Sequence, residues 1–265
     1  VIVTTCKDSP IIVGASKKGS FVASDIIAMI EHTRDIHVMQ ENEIAELHKD
    51  KIVLFDSHRD FLKEIPYEPE FVDWNVDQAE KGGFPDFMMK EIHEQPRVIR
   101  DTLAGRLVGG ELSIDEIGLS NMELMLVDRV YIIACGTSYH AGLIAKNIIE
   151  RWAQIPTEVE AASEFRYRNP ILSPTTLVVA VSQSGETADT IAAIRDARIR
   201  GARVFGITNV VGSTVARESH GVIYTKANKE IAVASTKSFL GQVVSLTLLA
   251  MLLGQAKSKL TTAQV

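Results

Sequence analysis

The sequence has few cysteines, no long apolar run and no excess of positive charge. Its two cysteines, Cys6 and Cys135, cannot build a disulfide framework, and neither has Cys or His neighbours at metal-ligand spacing, so we predict no metal site and no cofactor. The longest apolar stretch, 243–253, is too short to cross a bilayer. A net charge of −6 without a basic block argues against a nucleic-acid surface. We therefore expect a cytoplasmic globular protein without a membrane or nucleic-acid partner.

The sequence also lacks an initial methionine. Its first residues, Val1, Ile2 and Val3, are apolar and typical of the middle of a strand, so we expect the chain to be part of something longer. Its length allows one large domain or two ordinary ones, and its 46% hydrophobic and 23% charged residues are typical of a folded protein.

The hydrophobic pattern divides the chain into three parts. Residues 1–60 contain short β-branched runs separated by polar turns, which predicts a sheet with one helix that begins near Ser24 or Asp25. Residues 61–86 have no sustained period and are predicted to be a linker. Helical spacing returns at 87–103, where Pro96 is expected to kink or split the helix. This helix begins the third part of the chain, residues 87–265.

Strands and helices alternate within that third part. Apolar runs at 130–134, 177–181 and 203–207 read as buried strands, each followed by a polar turn. This alternation predicts an α/β fold with a doubly wound parallel sheet covered by helices on both faces. In such folds ligands bind at the carboxyl ends of the strands, so the turns there are the candidate site.

The turn Ser182-Gln183-Ser184-Gly185-Glu186-Thr187 is the most informative of these motifs. It follows an apolar strand and opens a helix, where hydroxyls, free backbone N–H groups and the helix dipole favour an anion such as a phosphate. It lacks the lysine and the glycines of a Walker loop, which favours a monophosphorylated small molecule. The alternative is that Ser184 or Thr187 only caps the helix, although one cap needs one hydroxyl.

Two further polar clusters have a similar setting. Cys135-Gly136-Thr137-Ser138 also follows a strand and opens a helix; Cys135 itself reads as an inert thiol. The segment 229–237 precedes the apolar helix predicted at 239–253. Ser235 and Thr236 could cap that helix, and for either residue alone capping explains its position at least as well as contact with a ligand. Glu230 and Lys237 would ordinarily be solvated charges or a weak surface pair.

Taken in order, these motifs resemble the first sugar-isomerase (SIS) domain of the glutamine–fructose-6-phosphate aminotransferase family. The resemblance rests on Cys135–Ser138, Ala162–Tyr167, Ser182–Thr187 and Glu230–Lys237. Upstream, the segments 21–25, 42–47 and 89–96 resemble the end of that family's glutaminase domain and its connecting segment. The resemblance therefore implies a SIS domain preceded by a partial α+β glutaminase domain of the N-terminal-nucleophile type.

The resemblance also implies ligands and a set of site residues. The substrates would be fructose 6-phosphate and, in the whole enzyme, glutamine; the product would be glucosamine 6-phosphate, and the enzyme would be a homodimer. Asp25 would bind the glutamine amino group. The sugar phosphate would be held by Thr137, Ser138, Ser182, Gln183, Ser184, Thr187, Val233 and Ser235.

The catalytic groups of that family have no match in this sequence. Residue 1 is valine where the family has its nucleophilic cysteine, and the surroundings of Cys6 do not match that cysteine either. The lysine, glutamate and histidine of the second SIS domain also lack counterparts. We therefore assign no catalytic residue here and expect this chain alone to be an inactive sugar-phosphate-binding segment.

Two other functions remain open. A SIS-type sugar-phosphate-sensing module would usually carry a DNA-binding segment, and the first hundred residues show no basic helix-turn-helix pattern. A stand-alone sugar-phosphate isomerase would need an acid and a base, for which His140 and Glu186 are the nearest candidates. His140 reads better as a helix surface residue, and Glu186 as a charge that favours the first turn of its helix.

Overall fold

The computed structural model describes residues 1–6, 11–24, 27–30, 32–57, 62–71, 81–108, 111–112, 114, 118–261 and 264. The chain divides into two compact units, Val1–Glu80 and Lys81–Val265.

The elements of the first unit are β1 (Ile2–Thr5), β2 (Ile12–Ser16), β3 (Gly19–Ala23), α1 (Ile27–Ile30), β4 (Asp35–Val38), β5 (Glu43–Leu47), β6 (Ile52–Asp56), β7 (Lys63–Ile65) and β8 (Glu70–Phe71). The strands form two four-stranded antiparallel sheets, with strand orders β1-β5-β6-β7 and β3-β2-β4-β8. Burial alternates along β5, and Ala45 and Leu47 on its buried face join Val13 and Leu54 in a common core.

The predicted linker at 61–86 is wrong in its first part, because two strands form there. The backbone of β7 pairs with β6, and that of β8 pairs with β4. Both strands are short edge strands whose side chains are largely exposed, so they leave no alternating apolar pattern in the sequence.

Helix α2 (Phe87–Leu103) opens the second unit, and it runs through Pro96 without splitting. Its first turn is capped by Asp86, whose Oδ1 accepts from the Met89 amide at 2.8 Å. Pro96 has no amide to donate to the Ile92 carbonyl, but the Gln95 side-chain amide donates to that oxygen at 3.0 Å. The lost backbone bond is thus replaced locally.

The rest of the second unit confirms the predicted doubly wound α/β fold. Its elements are β9 (Leu107–Val108), β10 (Glu111–Leu112), α3 (Asn121–Leu126), β11 (Arg129–Ala134), α4 (Gly136–Trp152), β12 (Thr157–Ala161), α5 (Ala162–Arg168), β13 (Thr176–Ser182), α6 (Ala188–Ile199), β14 (Arg203–Thr208), α7 (Thr214–Glu218), β15 (Gly221–Tyr224) and α8 (Lys237–Ala256). The five-stranded sheet is fully parallel, with the order β12-β11-β13-β14-β15.

Two apolar cores cover the two faces of this parallel sheet. One joins the sheet to α4 and α8 through residues such as Ile132, Ile149 and Leu249; the other joins it to α5 and α6 through residues such as Phe165 and Ile194. All five side chains are essentially buried. Burial on both faces explains why β11, β13 and β14 are continuous apolar runs in the sequence.

The order of the strands fixes where a ligand site is expected. From β11 the chain crosses to β12 on one side and then to β13 on the other, so strand order reverses between β11 and β13. In open parallel sheets the crevice at the carboxyl ends of two such strands is the usual ligand site. The turns that follow β11 and β13 are the two polar motifs predicted from the sequence.

Helix α8 is long and apolar enough to cross a membrane by length and composition. Leu246, Leu249 and Leu253 of this helix are fully buried in the core that joins α8 to the sheet.

His220 makes the stability of the second unit sensitive to pH. Burial lowers the pKa of its imidazole below the usual value, and the positive charges of Arg198 and Arg203 act in the same direction, against weaker opposing effects of a hydrogen bond with the Val204 backbone and of Glu123. The unfolded chain therefore binds this proton more readily than the folded one. We expect the free energy of unfolding to fall as the pH decreases from about 7 to about 5.

Urea unfolding of the wild type and of His220→Gln across that pH range tests this prediction. The substitution should flatten the pH dependence, whereas the same change at His140, an exposed histidine of α4, should leave it as in the wild type. Equal slopes for wild type and His220→Gln would contradict the prediction.

Candidate functional site

The turn between β13 and α6 is organised by its own hydroxyl groups. The buried Ser182 Oγ accepts from the Gly185 amide at 3.0 Å and lies 2.9 Å from Thr187 Oγ1. The half-buried Ser184 Oγ accepts from the Glu186 amide at 3.2 Å. Thr187 is the N-cap residue of α6, yet its side chain makes no capping bond. The turn therefore presents hydroxyls and the N-terminal amides of α6 together, which is an arrangement suited to an anion.

Gly185 allows this turn to pack against the next strand. Its φ is +69°, and a Cβ there would lie 2.1 Å from Ser213 Oγ and 2.7 Å from Thr208 Oγ1. Two further bonds fix the turn to its neighbours: the Gln183 carbonyl accepts from the Asn209 amide at 3.1 Å, and the Gly185 carbonyl accepts from the Val215 amide at 3.0 Å. The turn is thus bound both to the residue that follows β14 and to α7.

The turn after β11 lies beside it, because β11 and β13 are neighbours in register, with Ala134 opposite Val181. Cys135 is the N-cap residue of α4 without a side-chain capping bond, and it is half-buried. Thr137 is exposed in the first turn of α4, whereas Ser138 is buried. Gly136, at a φ of +58°, makes the sharp change of direction. The structure therefore brings Thr137 and Ser138 to the same sheet edge as 182–187.

Asn209 connects this edge to the segment that follows β15. Its side-chain oxygen accepts from Thr225 Oγ1 at 3.0 Å and from the Ala227 amide at 2.7 Å, and its side-chain amide donates to the Asn228 carbonyl. Because the Asn209 backbone also binds Gln183, one residue joins the 182–187 turn to the 225–228 segment. Asn209 was not among the predicted site residues, although it lies in the polar turn that follows the strand predicted at 203–207.

Glu230 caps helix α8, for which Ser235 and Thr236 were the candidate caps in the sequence. Its Oε1 accepts from the amides of Thr236 at 2.8 Å and Ser238 at 3.2 Å, while Thr236 itself makes no side-chain cap. The Ser235 hydroxyl donates to Glu230 Oε2 at 2.8 Å. Val233 is fully exposed. The carboxylate therefore meets the positive end of α8 and fixes the backbone just after Val233.

Lys237 is buried and Glu230 half-buried, so the expectation of solvated charges or a weak surface pair was wrong. The Lys237 ammonium is bound to Glu94 Oε2 of α2 at 2.6 Å. A second carboxylate of α2, that of Glu91, is buried as well and accepts from the amide of Ile231 at 2.6 Å. No local pattern reveals these pairs, because about 140 residues separate the partners.

The remaining predicted residues are placed less favourably for chemistry. Glu186 Oε1 accepts from the Thr214 amide at 2.8 Å, so its carboxylate serves the first turn of α7 and not that of its own helix. His140 is exposed on α4, as expected. Asp25 lies outside the described residues. Among the described residues, no group of three His, Cys, Asp or Glu side chains is arranged to hold a metal ion.

Comparison with known proteins defines the class of this fold. Residues 123–252 match the SIS domain family. The C-terminal domain of glucosamine-fructose-6-phosphate aminotransferase from Francisella tularensis superposes with a TM-score of 0.67 and 40% identity, over 70% of this chain and 53% of that chain. The second unit therefore contains a SIS domain.

The whole sequence is similar to a more specific group of proteins. It is 49% identical over its full length to glutamine–fructose-6-phosphate aminotransferase [isomerizing] of Clostridium tetani, and 50% identical over 97% of its length to the enzyme of Streptomyces coelicolor. Over its full length the chain thus matches one segment of glutamine–fructose-6-phosphate aminotransferases. It spans 43% and 42% of the length of these two relatives.

Proposed function

We propose that this chain supplies the sugar-phosphate site of an aminotransferase that uses glutamine and fructose 6-phosphate to form glucosamine 6-phosphate. The observation that carries the proposal is the 182–187 turn, whose hydroxyls meet the N-terminal amides of α6 at the point where strand order reverses. The names of the relatives supply the substrate, and the match of residues 123–252 to the SIS domain family supplies the class of ligand.

In the proposed complex the phosphate lies on Ser184, Thr187 and the adjacent amides, with Gln183 beside them. Ser182 is already bonded to Gly185 and Thr187, so it supports the phosphate site through these neighbours. Thr137 and Ser138 lie at the adjacent turn, and the exposed Val233 with Ser235 meets the sugar from the segment before α8. These residues bind and orient; we assign none of them a catalytic role.

The proposal extends to the setting of the enzyme. We propose a glutamine amidotransferase of hexosamine biosynthesis that works in the cytoplasm as a homodimer, with Asp25 binding glutamine. This extension rests on the names of the relatives and on their resemblance to the present sequence. A stand-alone isomerase fits the site less well, because Glu186, one of its two candidate acid and base residues, is bound to the Thr214 amide.

Replacement of the turn hydroxyls tests the proposed phosphate site. We expect Ser184→Ala and Thr187→Ala each to weaken fructose 6-phosphate binding about tenfold, because a hydrogen bond to a charged group contributes about 1.5–3 kcal/mol. The measurement is calorimetric titration of the 265-residue chain with fructose 6-phosphate and, separately, glucosamine 6-phosphate.

Thr175→Ala is the matched control for these two variants. Thr175 directly precedes β13, at the end of the strand that lies opposite the 182–187 turn. The Thr175 hydroxyl donates to Asp128 at 2.7 Å. This variant should bind like the wild type. A wild-type chain that does not bind at millimolar ligand, or turn variants that bind as tightly as the wild type, would contradict the proposed site.

A further inference from the structure

Helix α2 contributes a buried carboxylate to the segment between β15 and α8. Glu91 is only 2% exposed, and its Oε1 accepts from the amide of Ile231 at 2.6 Å and from that of Ala232 at 3.3 Å. Its Oε2 lies 3.3 Å from the same Ala232 amide. A buried carboxylate needs such donors to offset the loss of water. The two backbone amides before Val233 therefore have a fixed direction.

The far side of Val233 is fixed independently. Glu230 binds the Thr236 amide and the Ser235 hydroxyl, and Lys237 is held by Glu94, one turn after Glu91 on α2. Between these anchors Val233 and Ala234 are exposed. Three carboxylates thus shape a short segment and leave its middle open to a ligand.

This arrangement does not extend to the 182–187 turn. That turn is held by its own hydroxyls and by Thr208, Asn209 and the first turn of α7. No hydrogen bond among the described residues joins α2 directly to it. A change at Glu91 should therefore act on the 231–235 segment and leave the phosphate turn intact.

We propose that Glu91 is a positioning residue that sets the sugar-binding conformation of Val233–Ser235, separately from the phosphate site. This inference rests on the proposed function, because it takes the 231–235 segment to face the sugar. It predicts that Glu91 determines how well the protein distinguishes a sugar phosphate from phosphate alone.

The experiment compares fructose 6-phosphate with inorganic phosphate on the full 265-residue chain. Glu91→Gln replaces one acceptor oxygen with an amide donor that faces the backbone N–H groups. We expect its fructose 6-phosphate dissociation constant to rise about tenfold, as the loss of a hydrogen bond to a charged group would give. The phosphate dissociation constant, followed by NMR titration, should change less than about twofold. Glu91→Asp, which keeps the charge, should give an intermediate loss.

Asp101→Asn is the matched control, since Asp101 is a carboxylate of the same helix whose side chain is 43% exposed. It should bind both ligands like the wild type. Hydrogen exchange provides a second readout: in Glu91→Gln the amides of 231–237 should exchange faster, while those of 183–189 should not.

The outcomes separate the inference from the proposed function. Equal losses of both ligands in Glu91→Gln and Glu91→Asp would overturn the positioning role in favour of a general structural one. Unchanged fructose 6-phosphate binding in these variants would overturn it too. A wild-type chain that binds neither ligand would instead overturn the proposed function, and the inference with it.

Discussion

Gly185→Ala is expected to abolish most of the phosphate binding proposed for the 182–187 turn. At a φ of +69° an alanine is strained by about 1–2 kcal/mol, and its Cβ would lie 2.1 Å from Ser213 Oγ. Relief of this overlap requires the turn to move away from β14, which adds about 1–3 kcal/mol of packing loss. We expect fructose 6-phosphate affinity to fall about 100-fold, with a loss of unfolding free energy of about 3 kcal/mol.

Gly201→Ala is the control that introduces backbone strain without a steric overlap. Gly201 has a similar φ of +84°, but a Cβ there has nothing within 4 Å. It should reduce stability by about 1–2 kcal/mol and leave binding unchanged.

The variant Gly185→Ala with Ser213→Gly adds a rescue. It removes the nearest contact, while Thr208 Oγ1 remains at 2.7 Å, so binding should recover in part. Calorimetric titration measures the fructose 6-phosphate affinity of these variants, and urea unfolding measures their unfolding free energy. Wild-type affinity in Gly185→Ala would show that the turn does not bind the phosphate.

The sequence predicted the parallel sheet well because its strands are buried on both faces. Runs such as 130–134 and 177–181 are apolar throughout, and each ends at a polar turn, so both the strands and their carboxyl ends can be located. Strand β15 (Gly221–Tyr224) was missed because it is a short strand at the edge of the sheet, with residues that alternate between buried and half-buried. Strands β7 and β8 were missed for a related reason: they are short and largely exposed.

The candidate site was predictable only where its chemistry is local. Turns 135–138 and 182–187 each follow one strand, so residue type and position suffice to identify them. The 229–237 segment is bound by carboxylates of α2, and the spacing of residues in the sequence does not predict these contacts. Lys237 was misjudged because a lysine is usually exposed unless it has a partner, and its partner Glu94 is distant in sequence.

Loss of Glu94 and loss of Lys237 should reduce the unfolding free energy by different amounts. The Lys237 side chain is 3% exposed, whereas that of Glu94 is 19% exposed and also lies 3.5 Å from Arg97. Glu94→Gln would leave a buried ammonium without its counter-ion, and we expect it to reduce the unfolding free energy by about 3 kcal/mol. Lys237→Met keeps the apolar stem and leaves a carboxylate that reaches water, so a loss of about 1 kcal/mol is expected.

Urea unfolding followed by far-UV circular dichroism measures this difference, because every described helix longer than four residues lies in residues 81–265. Arg97→Gln is the control: Arg97 is half-exposed, and its loss should change stability by less than about 0.5 kcal/mol. The double variant Glu94→Gln with Lys237→Met should be more stable than Glu94→Gln alone, since it removes the unpaired charge. Equal losses in the two single variants would mean that Lys237 reaches solvent once its partner is removed, and that α2 does not hold the start of α8 through this pair.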